Sequence, residues 1–406
     1  MRRAAWCLLL LFVFAIPWEY SLDLGEPLGN VARILGLLLL VVAIPAVLQS
    51  GRLRNPGALQ WLVLALYLWF CLSYFWTIEP QATLGKMRAY FQEMMVVWLV
   101  WEFAENSRDL RALLSAALAG SWMLTILTVA NFGSPEAIAS GQIRFAAIGQ
   151  DPNDVARFLD LGFPVAALLS GWETRWPGRL LALGYLPIGF AAVLLTASRG
   201  GFVAAVVALA GCGLLLFRHS MRGAVAGVLA LPIVGLALWY AAPHETLERL
   251  TTIADQLLHG DLNQRLNIWA AGWHAFVQAP VIGHGAGSFV SAAGLGPIDT
   301  AHNTALSLLV EGGICALMLA AAIVAVSARS AFATKGALRV ALITLLSVWV
   351  VSSLVGTVAE SRTTWLLLAL IALAARVAAD EPEAMACALS LPDYLDALNA
   401  HPDVAL

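Results

Sequence analysis

Long apolar runs broken by short polar turns dominate the chain from its first residues to about position 380. A helix needs about 20 mostly apolar residues to cross the hydrocarbon core. The pattern predicts spans over 4–16, 28–48, 59–76, 90–103, 110–130, 155–169, 180–195, 201–217, 224–242, 303–326, 338–357 and 363–378. The fold class expected is therefore all-α, a polytopic membrane bundle of about 12 transmembrane helices. The first run is short and follows Arg2 and Arg3, as a signal peptide would. No small-residue cleavage site follows it, so it is expected to stay as a helix. The domain division is a transmembrane domain over 1–379, including a large loop over 243–301, and an acidic tail over 380–406.

Charge sets the expected orientation. Arg2 and Arg3, Arg52 and Arg54, Arg108 and Arg111, Arg175 and Arg179, Arg218 and Arg222, then Arg329, Lys335 and Arg339 fall at every second turn. The positive-inside rule makes those turns and both termini cytoplasmic. On the other side, residues 264–278 place Leu266, Trp269, Trp273 and Phe276 on one helical face, with Asn267, Ala271, His274 and Gln278 opposite. This predicts an amphipathic helix, either at the membrane surface or packed on the tops of the bundle. Asp151-Pro152-Asn153-Asp154 is a turn and cap for the span that follows.

Composition agrees with the pattern and adds exclusions. Hydrophobic residues are 60% and charged residues 12%, with a net charge of −3, so no basic surface points to nucleic acid. The five cysteines sit mostly in apolar runs without ligand spacing, and neither a metal site nor a cofactor is expected. Gly283-His284-Gly285-Ala286-Gly287 has no strand before it and no P-loop lysine after it, so it reads as a flexible turn with His284 at the surface.

The orientation rule selects against cations on the translocated side, where Lys86, Arg88, Arg144, Arg157, Arg199, Arg249, Arg265 and Arg362 fall, with Arg33 near a helix end. Arg199 stands in Thr196-Ala197-Ser198-Arg199-Gly200-Gly201, a tight hairpin whose glycines let the backbone turn. Arg265 opens the amphipathic helix. His302 begins the next span, where a helix N-terminus favours the neutral imidazole that accepts a proton. Together these suit an anionic headgroup beside a reactive hydroxyl. A lone histidine at a helix start is more often a cap, and a lone arginine in a hairpin more often satisfies carbonyls. Spacing alone leaves both readings open. Glu311, about nine residues into its span, is expensive there and is expected to bond a neighbouring helix or Arg362, or to stay protonated.

Three stretches, in order, resemble the O-antigen ligase and polymerase superfamily of bacterial envelope glycosyltransferases. They are Leu195 to Gly201, Arg265-Leu266-Asn267-Ile268-Trp269 through Gly283-His284-Gly285, and Ala301-His302-Asn303-Thr304 through Glu311-Gly312-Gly313. The run from Arg144 to Asp151-Pro152-Asn153 is similar to the family's as well. The resemblance implies transfer of a glycan from a polyprenyl-pyrophosphate donor to an acceptor hydroxyl, without a metal and with inversion. The site would lie on the periplasmic face of a bacterial inner membrane. The acceptor would be lipid A core for a ligase and another glycan for a polymerase; a protein O-oligosaccharyltransferase shares the motifs. Arg199, Arg265 and His302 take the family's catalytic positions, with Arg144, Lys86, Arg88 and Asn303 as further substrate-binding candidates. A reading from another class is a secondary transporter of small anions, which inverted repeats and broken helices would support.

Overall fold

A computed structural model describes residues 1–25, 29–219, 232–258, 260–261, 264–296 and 300–382. Arg222, Asp299, residues 224–231 and the tail from 383 lie outside the described residues. In chain order the helices are α1 (Arg2–Ala15), α2 (Val31–Ser50), α3 (Ala58–Leu72), α4 (Pro80–Phe103) and α5 (Ser107–Phe132). Next come the short α6 (Pro135–Ala139), then α7 (Pro152–Trp172), α8 (Trp176–Leu195) and α9 (Arg199–His219). After α10 (Pro232–Ala241) the large loop carries α11 (His244–Thr251), α12 (Ile253–Leu258), α13 (Arg265–Gln278) and α14 (Phe289–Ala292). The last three are α15 (Thr304–Ala333), α16 (Gly336–Val355) and α17 (Arg362–Asp380). No strand occurs among the described residues, and the all-α membrane bundle is what the apolar pattern predicted.

Among the described residues, ten helices are long and apolar enough to cross a membrane. The remaining two of the expected twelve are α4 and α10. Helix α4 has 24 residues, roughly 36 Å at 1.5 Å per residue, but carries Lys86, Arg88, Glu93 and Glu102. It begins at Pro80, ten residues before the expected span, so Lys86 and Arg88 are helical and not in a loop. Pro80 supplies the start, its missing N–H being one the first turn leaves unbonded in any case.

Helix α7 is the centre, with 83% of its apolar window buried against α5, α8, α9 and α16, while α2 at 22% is peripheral. Gly162 receives the Tyr185 ring of α8, and the Tyr185 hydroxyl donates to the Leu159 carbonyl at 2.9 Å. Gly201 of α9 lies against the Ala156 methyl of α7, and Gly200 against Val355 of α16. Those two glycines were expected to make the hairpin turn. Instead they let three helices approach closely, and the turn itself is made by Ala197 at φ 48°.

The two ends of the bundle differ. At one, Arg2 bonds Glu102 at 3.0 Å, the Arg54 amide donates to Glu102, and Arg111 pairs with Glu173 at 2.6 Å. At the other gather the starts of α2, α4, α7, α9, α15 and α17 with the large loop, and this is the site end.

Candidate active site

Three backbone strains mark the site end. Among the described residues only Ala197 (φ 48°), Gln264 (φ 64°) and His302 (φ 47°) are non-glycine residues in the left-handed region. Each is, or stands within two residues of, a candidate predicted from sequence: Arg199, Arg265 and His302. Such conformations cost roughly 1–3 kcal/mol each and persist only where surroundings enforce them.

The enforcement around His302 is visible. Asn303 caps α15, its Oδ1 accepting from the Leu306 amide at 2.9 Å, and its Nδ2 donates to the Leu354 carbonyl at 3.3 Å. Thr304 donates to the Gly356 carbonyl at 2.8 Å and accepts from the Val358 amide at 3.0 Å. Trp269 of α13 donates to the Ala301 carbonyl at 3.0 Å. His302 is thus held just before the cap, between α13 and the α16–α17 turn, at the helix start where the sequence placed it. Asn303 is spent on this positioning.

A second hub sets the arginines. Asp151 caps α7, accepting from the Asn153 amide at 2.7 Å, as Asp-Pro predicted. The Asn153 Oδ1 then accepts from Arg144 Nη2 and from Ser198 Oγ, both at 2.9 Å, joining the loop before α7 to the turn before α9. Arg144 Nε also donates to the Thr196 carbonyl at 3.2 Å. Arg199, the first residue of α9, donates to the Arg249 carbonyl at 2.9 Å and to the Thr252 hydroxyl at 2.7 Å.

Arg144, Arg199, Arg249 and Arg265 all line one cavity of about 370 Å³. Its remaining wall is mainly apolar, from Val203, Ile253, Trp269, Val351, Leu354 and Val355. Arg144, Arg249 and Arg265 have no carboxylate within ion-pair distance among the described residues, and Arg249 Nε is buried without a partner. Burial lowers the pKa of Arg144, Asp151 opposes this, and the charges of Arg249, Arg265 and Arg199 lower it further. Arg265 is shifted down the same way, by burial against the pull of Asp151. Arginine stays protonated under such shifts, so they report positive charge held partly out of water, with like charges adding at Arg144 alone of the two.

A wider cavity of about 690 Å³ adjoins it, sharing Arg265, Asn153 and Val355. His302 lines it, with Lys86, Arg157, Tyr20 and the carboxylates Asp151, Asp154, Glu311 and Glu360. Apart from the shared Arg265, the arginine and lysine here are paired. Arg157 meets Asp154, and Lys86 is clasped between Glu360 and Glu311, the latter at 2.8 Å. Glu360 and Arg362 do not pair with each other: Glu360 meets Lys86, and Arg362 bonds Glu19 and Gln92. Arg88, on another face of α4, reaches neither cavity and lines a third.

The glycine-rich stretch is bonded throughout, contrary to the flexible turn expected. His284 and Gly285 donate backbone N–H to the carbonyls of Val310 and Glu311 at 2.8 and 2.9 Å, and Gly287 donates to Glu311 Oε2 at 3.0 Å. His284 Nε2 lies 2.8 Å from the Ala275 carbonyl, tying the loop to α13. Helix α15 is broken at Gly313 (φ 66°), and the Ile314 amide donates instead to Pro280 at 2.9 Å. The break is filled by this loop, which meets the rule that irregular backbone at membrane depth must be bonded inside protein. Helix α13 packs Ile268, Gly272 and Ala275 downward and leaves Leu266, Trp273 and Val277 exposed. It lies on the bundle and keeps an apolar edge for the membrane surface.

Sequence reasoning passed over Arg249 and Asn153. Arg249 was counted among the cations on this side, and its convergence with three others was the missing step. Among the described residues no group of three His, Cys, Asp or Glu side chains gathers as a metal site.

Residues 184–321 match the family model described as O-antigen ligase. About a third of the chain is thus similar to the O-antigen ligase family. The matched stretch holds Arg199, Arg249, Arg265, His302 and Glu311, while Lys86, Arg88 and Arg144 lie before it. No curated protein matches the chain. The chain is a multi-pass membrane protein by its helices, and its stretch from 184 to 321 is similar to the O-antigen ligase family.

Proposed function

We propose that the protein transfers a glycan from a polyprenyl-pyrophosphate donor to an acceptor hydroxyl at the periplasmic face of the bacterial inner membrane, as an O-antigen ligase whose acceptor is lipid A core. The observation that carries this reading is the joined pair of cavities: four arginines in an apolar-walled pocket sharing Arg265 with the His302 pocket. Arginine forks match phosphate oxygens, and the apolar wall suits the first units of a prenyl chain. The 690 Å³ cavity leaves room for sugar and acceptor.

In this mechanism His302 accepts the proton of the acceptor hydroxyl as its oxygen attacks the anomeric carbon. The new C–O bond forms opposite the C–O bond to pyrophosphate, which breaks with its electron pair on the phosphate oxygen, so the carbon inverts. Arg199, Arg265 and Arg249 stabilise the charge that grows on that oxygen. The half-buried guanidiniums lining one pocket need little rearrangement at that moment. Arg144 supports the same pocket and holds Asn153. Both termini would be cytoplasmic, since the paired arginine turns lie at the end opposite the site.

The transporter reading gains one feature, the break in α15 beside the buried Lys86–Glu311 pair. The glycine loop fills that break, and the unpaired cations lie elsewhere. Reconstitution with a polyprenyl-pyrophosphate glycan and lipid A core tests the proposal. Replacing His302 by Ala should lower transfer on the order of 10²–10⁴-fold. Full transfer by His302→Ala would remove the assigned base, and loss of wild-type transfer in EDTA would remove the metal-free step. Chain extension from donor alone would select polymerase, and transfer to a protein hydroxyl would select the protein-glycosylating reading.

A further inference from the structure

A third cavity, about 330 Å³, opens among α1, α2, α3 and α4 and shares no lining residue with either cavity of the site. Its two ends are chemically opposite. Arg33 of α2, Arg88 of α4 and Arg362 of α17 stand at the site end, while Leu40, Met95 and Leu99 line the far end. From Arg88 to Leu99 is roughly 16 Å of helix at 1.5 Å per residue. That is close to half of a hydrocarbon core of roughly 30 Å, the depth of one leaflet. Leu37 on the rim is 54% exposed, so the cavity is open sideways toward lipid.

The charges at its mouth are in excess. Arg362 is matched by Glu19, but Arg33 and Arg88 are exposed and have no hydrogen bond or ion pair from their guanidiniums among the described residues. A single arginine near a helix end is ordinary snorkelling. Two from different helices, converging over one apolar shaft, form a receptor for an amphiphile with an anionic head.

We propose that this groove binds an anionic phospholipid from the leaflet on the site's side, its phosphate between Arg33 and Arg88 and an acyl chain between α2 and α4. Its headgroup lies beside the reactive cavity, because Ala89 and Ser361, the neighbours of Arg88 and Arg362, line that cavity. The inference rests on this groove alone and stands apart from the donor site.

Native mass spectrometry of the full chain, offered equimolar phosphatidylglycerol and phosphatidylcholine, tests it. The expected result is a retained phosphatidylglycerol adduct, preferred on the order of 10-fold, given the contribution of each arginine to anionic-lipid attraction. The Arg33→Gln/Arg88→Gln double variant should lose the preference, and Arg199→Gln/Arg265→Gln should keep it. Leu40→Trp, which fills the shaft but leaves both arginines, should lose the adduct. No preference in wild type, or a preference surviving in the Arg33/Arg88 variant, overturns the proposal. So does displacement of the adduct by millimolar inorganic phosphate, which would mark a site for a free anion.

Discussion

Two groups of cations sit at the same end of this bundle and are treated in opposite ways. Lys86, Arg157 and Arg362 are each held by carboxylates: Glu311 and Glu360, Asp154, and Glu19. Arg144 bonds a carbonyl and an amide oxygen, Arg249 keeps a buried Nε without a partner, and Arg265 makes no side-chain hydrogen bond among the described residues. A buried charge is costly unless paired, so the first group joins helices together. The second keeps its charge uncancelled, and that is a property only a ligand of opposite sign makes favourable. Position at the membrane boundary does not separate the two groups; the nature of the bonded partner does.

The largest effect expected from breaking this contrast is on stability at Lys86. Lys86→Met leaves Glu311 buried beside an apolar side chain, and the loss of one partner of a buried pair costs about 3–5 kcal/mol. Thermal unfolding in detergent should show a large fall in Tm, mostly recovered by adding Glu311→Gln. An unchanged Tm in the single variant would mean the pair is not formed. Next in size is activity at Arg265: Arg265→Ala should lower transfer on the order of 10²-fold, the loss typical of one transition-state donor. Its Tm should move little, because no ion pair is lost. A large drop in Tm would place Arg265 in the structural group.

How much of this was readable in the sequence follows from the range of the interactions. The apolar runs, the cap Asp151-Pro152 and the Arg199, Arg265 and His302 positions are local patterns, and the structure shows helices and turns where they predict them. The sorting of the cations is not local. Lys86 finds Glu311 and Glu360 at 225 and 274 positions away, so its charge read as a loop residue when it was a helix residue with distant partners. Lys86 and Arg88, two residues apart, face different cavities for the same reason: helical geometry turns them away from each other. The glycines misled in a third way. Gly200 and Gly201 carry helix contacts, and Gly283 and Gly285 sit against backbone or side chains that no local signal names.

Smaller effects sharpen the comparison. Arg249→Gln keeps a polar group but removes the charge, and transfer should fall on the order of 10-fold, less than a full donor deletion. An unaltered rate would take Arg249 out of the charged cavity's function. The smallest change is expected at Glu360, which is half-exposed: Glu360→Gln leaves Lys86 paired with Glu311 and should cost no more than about 1 kcal/mol. A loss as large as that of Lys86→Met would show that Glu360, and not Glu311, is the partner that matters.

Binding of a polyprenyl pyrophosphate to the purified chain tests the central claim most directly. Wild type, Arg249→Gln, Arg265→Ala and the Lys86→Met/Glu311→Gln double variant would be compared by titration in the same detergent. Cations without carboxylate partners are assigned to the ligand, so the two arginine variants should each weaken binding on the order of 10-fold, about 1.4 kcal/mol. The Lys86/Glu311 double variant should bind as wild type does. The reverse pattern, with intact binding in both arginine variants and loss in the Lys86/Glu311 variant, would contradict the account.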